Sequence, residues 1–148
     1  MQIHKTQKKN KKYKKIIQLK NIEIYLKNNP PQSDLEFVES CFNKPFSKQK
    51  KIALTIRCSI AKLGQVDSKF IRANSSFENL AWLPYWKNCG DIRFYTEDFV
   101  EVIESELQIQ FTEKQLRNAS VRDPDLHPEM KINEFIREFY SWYNLNYF

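Results

Sequence analysis

Two glycines in 148 residues leave little backbone for tight hairpins or phosphate-cradling loops, and neither a phosphate-loop nor a dinucleotide-binding motif occurs. Helices are therefore expected throughout. No apolar run approaches the roughly 20 residues that a membrane-spanning helix requires. Cysteine is scarce and odd in number: Cys41, Cys58 and Cys89 form no CxxC pair. They read as reduced thiols of a cytoplasmic protein rather than a disulfide framework. The two histidines are His4 and His127, and no HExxH motif is present. Cys89 stands between Lys87 and Arg93, cations that lower a thiol's pKa, but no histidine lies near it in the sequence. Asp123, Asp125 and His127 share one stretch, "DPDLHP", which reads as a loop and not as a metal site. No enzyme, metal or cofactor is expected.

Charge is abundant but unevenly placed. Residues 1–28 hold nine lysines and one glutamate, a balance of +8, while the rest carries 15 basic against 17 acidic residues, a balance of −2. The chain thus divides into a basic arm and linker, residues 1–31, and a mildly acidic domain, residues 32–148. The linker is Asn28-Asn29-Pro30-Pro31, where proline disfavours continuing a helix. The opening "MQIHKTQKKNKKYKK" is basic, but the following "IIQLKNIEIYLKNN" is broken by Lys, Asn and Glu, so no secretory leader is expected. Lys8, Lys9, Lys11, Lys12, Lys14 and Lys15 could neutralise phosphates on nucleic acid or an anionic surface. No arginine precedes Arg57, so the bidentate donor suited to phosphate and guanine is missing from the arm.

Hydrophobic residues make up 41% and aromatics 14%, enough to build a core. Residues 13–27 mix helical and alternating spacing and lean towards helix. Ser33-Asp34-Leu35-Glu36 is a capping box opening a short helix to about Phe42. Ser47 is the expected cap of the next helix, whose Ile52, Ile56, Ile60 and Leu63 recur on one face and which Gly64 should end. A polar stretch, "VDSKFIRANSSFENL", leads into an aromatic loop, "AWLPYWKNCGDIRFY". Thr96 should cap a helix to Leu107 with Phe99, Val102 and Ile103 inward. A short turn of helix then runs from Thr112 or Glu113 to Ala119. The last helix is the clearest, with Ile132, Phe135, Ile136, Phe139, Tyr140 and Tyr143 on one face.

From about Ser47 to Tyr143 this order resembles the acyl carrier protein family. The features that carry the likeness are the first amphipathic helix running into "AKLGQVDSKFIRANSSFENL", with Val66, Phe70 and Ile71 as spaced anchors, and the acidic second helix and its exit, "DFVEVIESELQIQFTEK". A short third and an amphipathic fourth helix follow. The resemblance implies a small four-helix bundle with an N-terminal helical extension and a long aromatic loop between the first two bundle helices. Carriers present Asp-Ser-Leu at the start of the second helix for phosphopantetheinylation. Here no serine lies between Ser76 and Ser105. The serine place falls on Arg93, counting back from Leu107, or on Asn88 if the loop is anchored at Trp86. The chain is in this respect similar to bacterial carrier-like proteins that lack the serine, and no prosthetic arm is expected.

Glu97, Asp98, Glu101, Glu104 and Glu106 stand on one helix without a basic partner on it, and Glu97, Glu101 and Glu104 share a face. Carrier second helices dock basic partners through such faces, so the resemblance implies a protein partner with a basic surface. Trp82, Tyr85 and Trp86 are large side chains with polar handles, a type enriched at recognition sites. Against the simpler readings of a solvated helix face and a capped core end, these six residues are the expected docking surface. The alternatives are a nucleic-acid or anionic-surface binder acting through the arm, or an inhibitor or immunity-type protein using the same acidic face.

Overall fold

The computed structural model describes residues 20, 22–87 and 94–147. The chain divides into two units, Met1–Pro30 and Pro31–Phe148. In the first, residues 22–28 are helical. The second unit is all-α among its described residues, with α1 (Asp34–Cys41), α2 (Ser47–Gly64), α3 (Thr96–Leu107), α4 (Glu113–Arg117) and α5 (Ile132–Tyr147). Two 3-10 turns, Ser68–Phe70 and Glu78–Trp82, lie between α2 and α3. Among the described residues no helix is long and apolar enough to cross a membrane.

The capping box at α1 forms as its spacing implies: Ser33 Oγ accepts from the Glu36 N–H, and Glu36 accepts from the Ser33 N–H. The start of α2 differs from expectation. Ser47 is already helical and the cap is Phe46, whose N–H donates to the Gln49 side chain. Gly64 also differs, because it is the last helical residue and Gln65 takes the left-handed conformation at φ 55°. Gln108 does the same after α3, so glutamine twice holds a position more often given to glycine. Thr96 is the first residue of α3 and not its cap, which is Tyr95, whose side chain makes no capping hydrogen bond to the helix. The short helix α4 stops at Arg117, two residues short of Ala119.

α2 packs against α1, α3 and α5 through Ile52, Ala53, Ile56 and Ile60, all buried. The core is strongly aromatic. Phe77, Phe94, Phe99 and Phe135 meet with ring centroids 4.9–6.1 Å apart, mostly edge to face. Along α5, Phe135, Phe139, Tyr143 and Tyr147 succeed one another every fourth residue and stack, as side chains spaced by one helical turn do. The segment before α5 is sewn to the segment after α2. Phe77 N–H donates to the Met130 carbonyl, and the Ile132 and Asn133 N–H groups donate to the carbonyls of Ser75 and Ala73. Those last two bonds satisfy donors that the start of α5 would otherwise leave open.

Arg57 is 1% exposed at the junction of three segments. Its guanidinium donates to the Ile71 carbonyl at 3.1 Å, the Gln32 carbonyl at 2.6 Å and Asp34 Oδ1 at 2.8 Å, and it lies 4.6 Å from the Phe37 ring centre. One side chain thus ties the entry to α1 and the stretch after α2 onto the middle of α2. Burial lowers its pKa below the usual value, and the Asp34 carboxylate opposes that.

Candidate functional site

The acidic row on α3 borders a half-open cavity of about 480 Å³ between α3, α4, the 119–124 loop and α5. Its floor is apolar: Phe99, Ile103, Phe111, Phe135, Phe139 and Trp142. Glu97, Glu101 and Glu104 stand along one side, and Leu116 and Arg122 along the other. Glu97, Glu101, Leu116 and Arg122 are exposed, so the opening faces solvent.

The charged groups on this rim are not equivalent. Glu104 Oε2 accepts the Phe111 N–H at 2.8 Å, which holds the exit of α3 and turns Phe111 inward. Arg122 donates to both Glu138 carboxylate oxygens, at 3.1 and 2.6 Å, and to Glu134 at 3.3 Å. These bonds hold Glu138 below the usual carboxylate range and raise Arg122. Thr96 Oγ1 donates to Asp123 Oδ1 at 2.5 Å and accepts the Asp125 N–H, and that N–H also reaches Asp123. The hydroxyl expected to cap α3 instead fastens the 123–125 loop to it. On the far side of α3, Glu106 pairs with Lys62 of α2. Glu97 and Glu101 make no ion pair among the described residues.

The other three expected docking residues lie apart from this cavity; none of them lines it. Trp82 is 57% exposed and Tyr85 80% exposed, and Tyr85 holds a left-handed backbone at φ 65°, rare for an aromatic residue. Trp86 is half-buried and packs on Gly64, while the Lys87 N–H donates to the Gly64 carbonyl at 2.9 Å. Leu83, Pro84 and Phe94 of the aromatic stretch are buried. This stretch therefore contributes to the core as well as to the surface.

Arg93 and Asn88, the two serine-equivalent positions, lie outside the described residues, as do Cys89, His4, Lys8, Lys9, Lys11, Lys12, Lys14 and Lys15. Among the described residues no cluster of His, Cys, Asp and Glu is arranged to hold a metal ion. Cys41 is buried and its thiol is pushed up to about 12 by desolvation, which makes it a poor nucleophile. Two features escaped the sequence reading. Arg57 falls within the apolar stripe of α2, four residues after Ala53 and three before Ile60, and a charge in such a stripe is a signal of a buried pair. The far wall of the cavity, Leu116, Val121 and Trp142, carried no local signal because three separate segments supply it.

No protein-family model matches the chain, and neither a curated protein nor a solved structure is significantly similar to it. The described residues of the second unit form an all-α fold with an acidic-rimmed, apolar-floored cavity beside α3.

Proposed function

We propose that the chain is a non-catalytic interaction module that docks a basic protein through α3, carrier-like in helix order but without an attachment serine. The observation that carries this reading is the pair Glu97 and Glu101, exposed beside an apolar cavity with no cation among the described residues to neutralise them. Like charges one turn apart repel mildly, and a partner's Lys or Arg relieves that cost on binding. Their field also steers a basic partner towards the correct face and away from acidic competitors. The carrier likeness is supported by the succession of α2, a long connection, acidic α3, short α4 and amphipathic α5, and by the absence of serine between Ser76 and Ser105.

Capture from native lysate with the full chain and with Glu97→Lys/Glu101→Lys tests the docking face. Basic proteins retained by the wild type and lost by the variant are expected; an unchanged set contradicts the reading. Incubation with coenzyme A and a broad-specificity phosphopantetheinyl transferase tests the other half. Unchanged intact mass is expected, and a gain of one arm defeats it.

The nine lysines of residues 1–28 favour a second reading, binding to nucleic acid or an anionic surface. It requires affinity for DNA, RNA or anionic vesicles that falls steeply with salt and is lost when Lys8, Lys9, Lys11, Lys12, Lys14 and Lys15 become Gln. Indifference to both removes it.

A further inference from the structure

We propose that the cavity beside α3 receives one face of an amphipathic helix from the partner, an apolar anchor flanked by two cationic residues one turn apart. This rests on the docking reading and adds what the partner must present. The floor is almost wholly aromatic and aliphatic, with Phe99, Phe111, Phe135, Phe139 and Trp142 around Ile103, so the group that enters must be apolar. At about 480 Å³ the space is within the range of roughly 300–1,000 Å³ typical of binding clefts.

The rim decides the charge of the occupant. Arg122 is held by Glu138 and Glu134, so it offers no uncompensated positive charge to an anionic ligand. Glu104 is engaged by the Phe111 N–H and Asp123 by Thr96 and the Asp125 N–H. Glu97 and Glu101 remain, exposed and without an ion pair among the described residues. An anionic amphiphile would be repelled by four carboxylates at this opening; a cationic one is complementary.

The spacing favours a helix over a small molecule. Glu97 and Glu101 are four residues apart, about 6 Å along α3 at 1.5 Å per residue. Two Lys or Arg at i and i+4 of a facing helix reproduce that spacing, with the anchor on the adjoining strip of the same helix. Leu116, 42% exposed on the opposite bank, then contacts the apolar side of the incoming helix.

The test uses the full chain and a fluorescein-labelled 18-residue Leu/Lys amphipathic peptide, with a control in which two lysines one turn apart are Gln. Saturable binding by anisotropy is expected, weakened at least tenfold by the control peptide, by Glu97→Gln/Glu101→Gln, and by Ala119→Trp, which fills the cavity. Leu116→Gln, on the exposed rim, gives a second test of the cavity that does not disturb the interior or add charge. Loss with the acidic variants but not with Ala119→Trp or Leu116→Gln overturns the cavity inference and leaves acidic docking standing. Binding indifferent to all four changes overturns both. Absence of saturable binding overturns the cavity inference, and the lysate capture then judges docking alone. Tighter binding of dodecyltrimethylammonium, competing with the peptide, identifies a small cationic amphiphile as occupant and overturns the inference.

Discussion

Trp86 occupies the space in which a side chain at position 64 would stand: a Cβ built on Gly64 would lie 2.0 Å from Trp86 Cζ3 and 2.1 Å from Cε3. The glycine that the sequence marks as a helix terminator is needed instead for this close approach, since Gln65 makes the left-handed turn. The contact anchors the start of the segment that leads from the 3-10 turns towards α3.

Gly64→Ala should therefore destabilise the protein by about 1–2 kcal/mol, the scale of overpacking, despite alanine's better helix propensity. In a Trp86→Ala background the same change should become neutral or stabilising by about 0.5 kcal/mol. Urea unfolding of the four proteins of this double-mutant cycle measures it. Equal effects in both backgrounds would show that the two residues do not meet.

Arg57→Met should cost about 3 kcal/mol, because it leaves the buried Ile71 and Gln32 carbonyls without their donor. Asp34 is largely exposed, so Asp34→Asn should cost less than about 1 kcal/mol. Chemical denaturation ranks the two. A larger loss at Asp34 would contradict the picture of Arg57 as the fastening for backbone rather than for its ion pair.

The pH dependence follows from Glu138, whose carboxyl is held below its usual range by Arg122. A depressed carboxylate contributes stability above its unfolded pKa and loses it as pH falls through the folded one. Thermal stability should thus decline as pH is lowered below the ordinary carboxylate range, and Glu138→Gln should flatten that decline. A variant as acid-sensitive as the wild type would contradict it.

Much of the fold is legible locally. The capping box at Ser33, the stripe on α2 and the period of α5 each report on neighbours within one or two turns, and these helices stand where their residues imply. Thr96 was not legible in its role, because its partner Asp123 is 27 residues away. Glu97, Glu101 and Glu104 could be placed on one face by counting, but the cavity beside them could not. Its walls come from α3, α4, a loop and α5, and only tertiary packing brings these together. Trp82, Tyr85 and Trp86 look alike in the sequence; the fold exposes two and lays the third on Gly64.

Cysteine reactivity gives an independent check on the core. Cys41 is buried with its thiol pushed up to about 12, whereas Cys58 is half-buried with a weaker barrier to reagent. Brief N-ethylmaleimide treatment of native protein at neutral pH, read by peptide mass spectrometry, should label Cys58 well before Cys41. Equal labelling would mean that the α1–α5 contact opens readily.

Amide chemical-shift mapping tests the central claim most directly. On titration with the Leu/Lys helix, shifts should concentrate on residues 97–104 and 116–123 and weaken as salt is added. Shifts centred on residues 82–86, or none on α3, would mean that the acidic helix is only a solvated face and that recognition lies elsewhere on the protein.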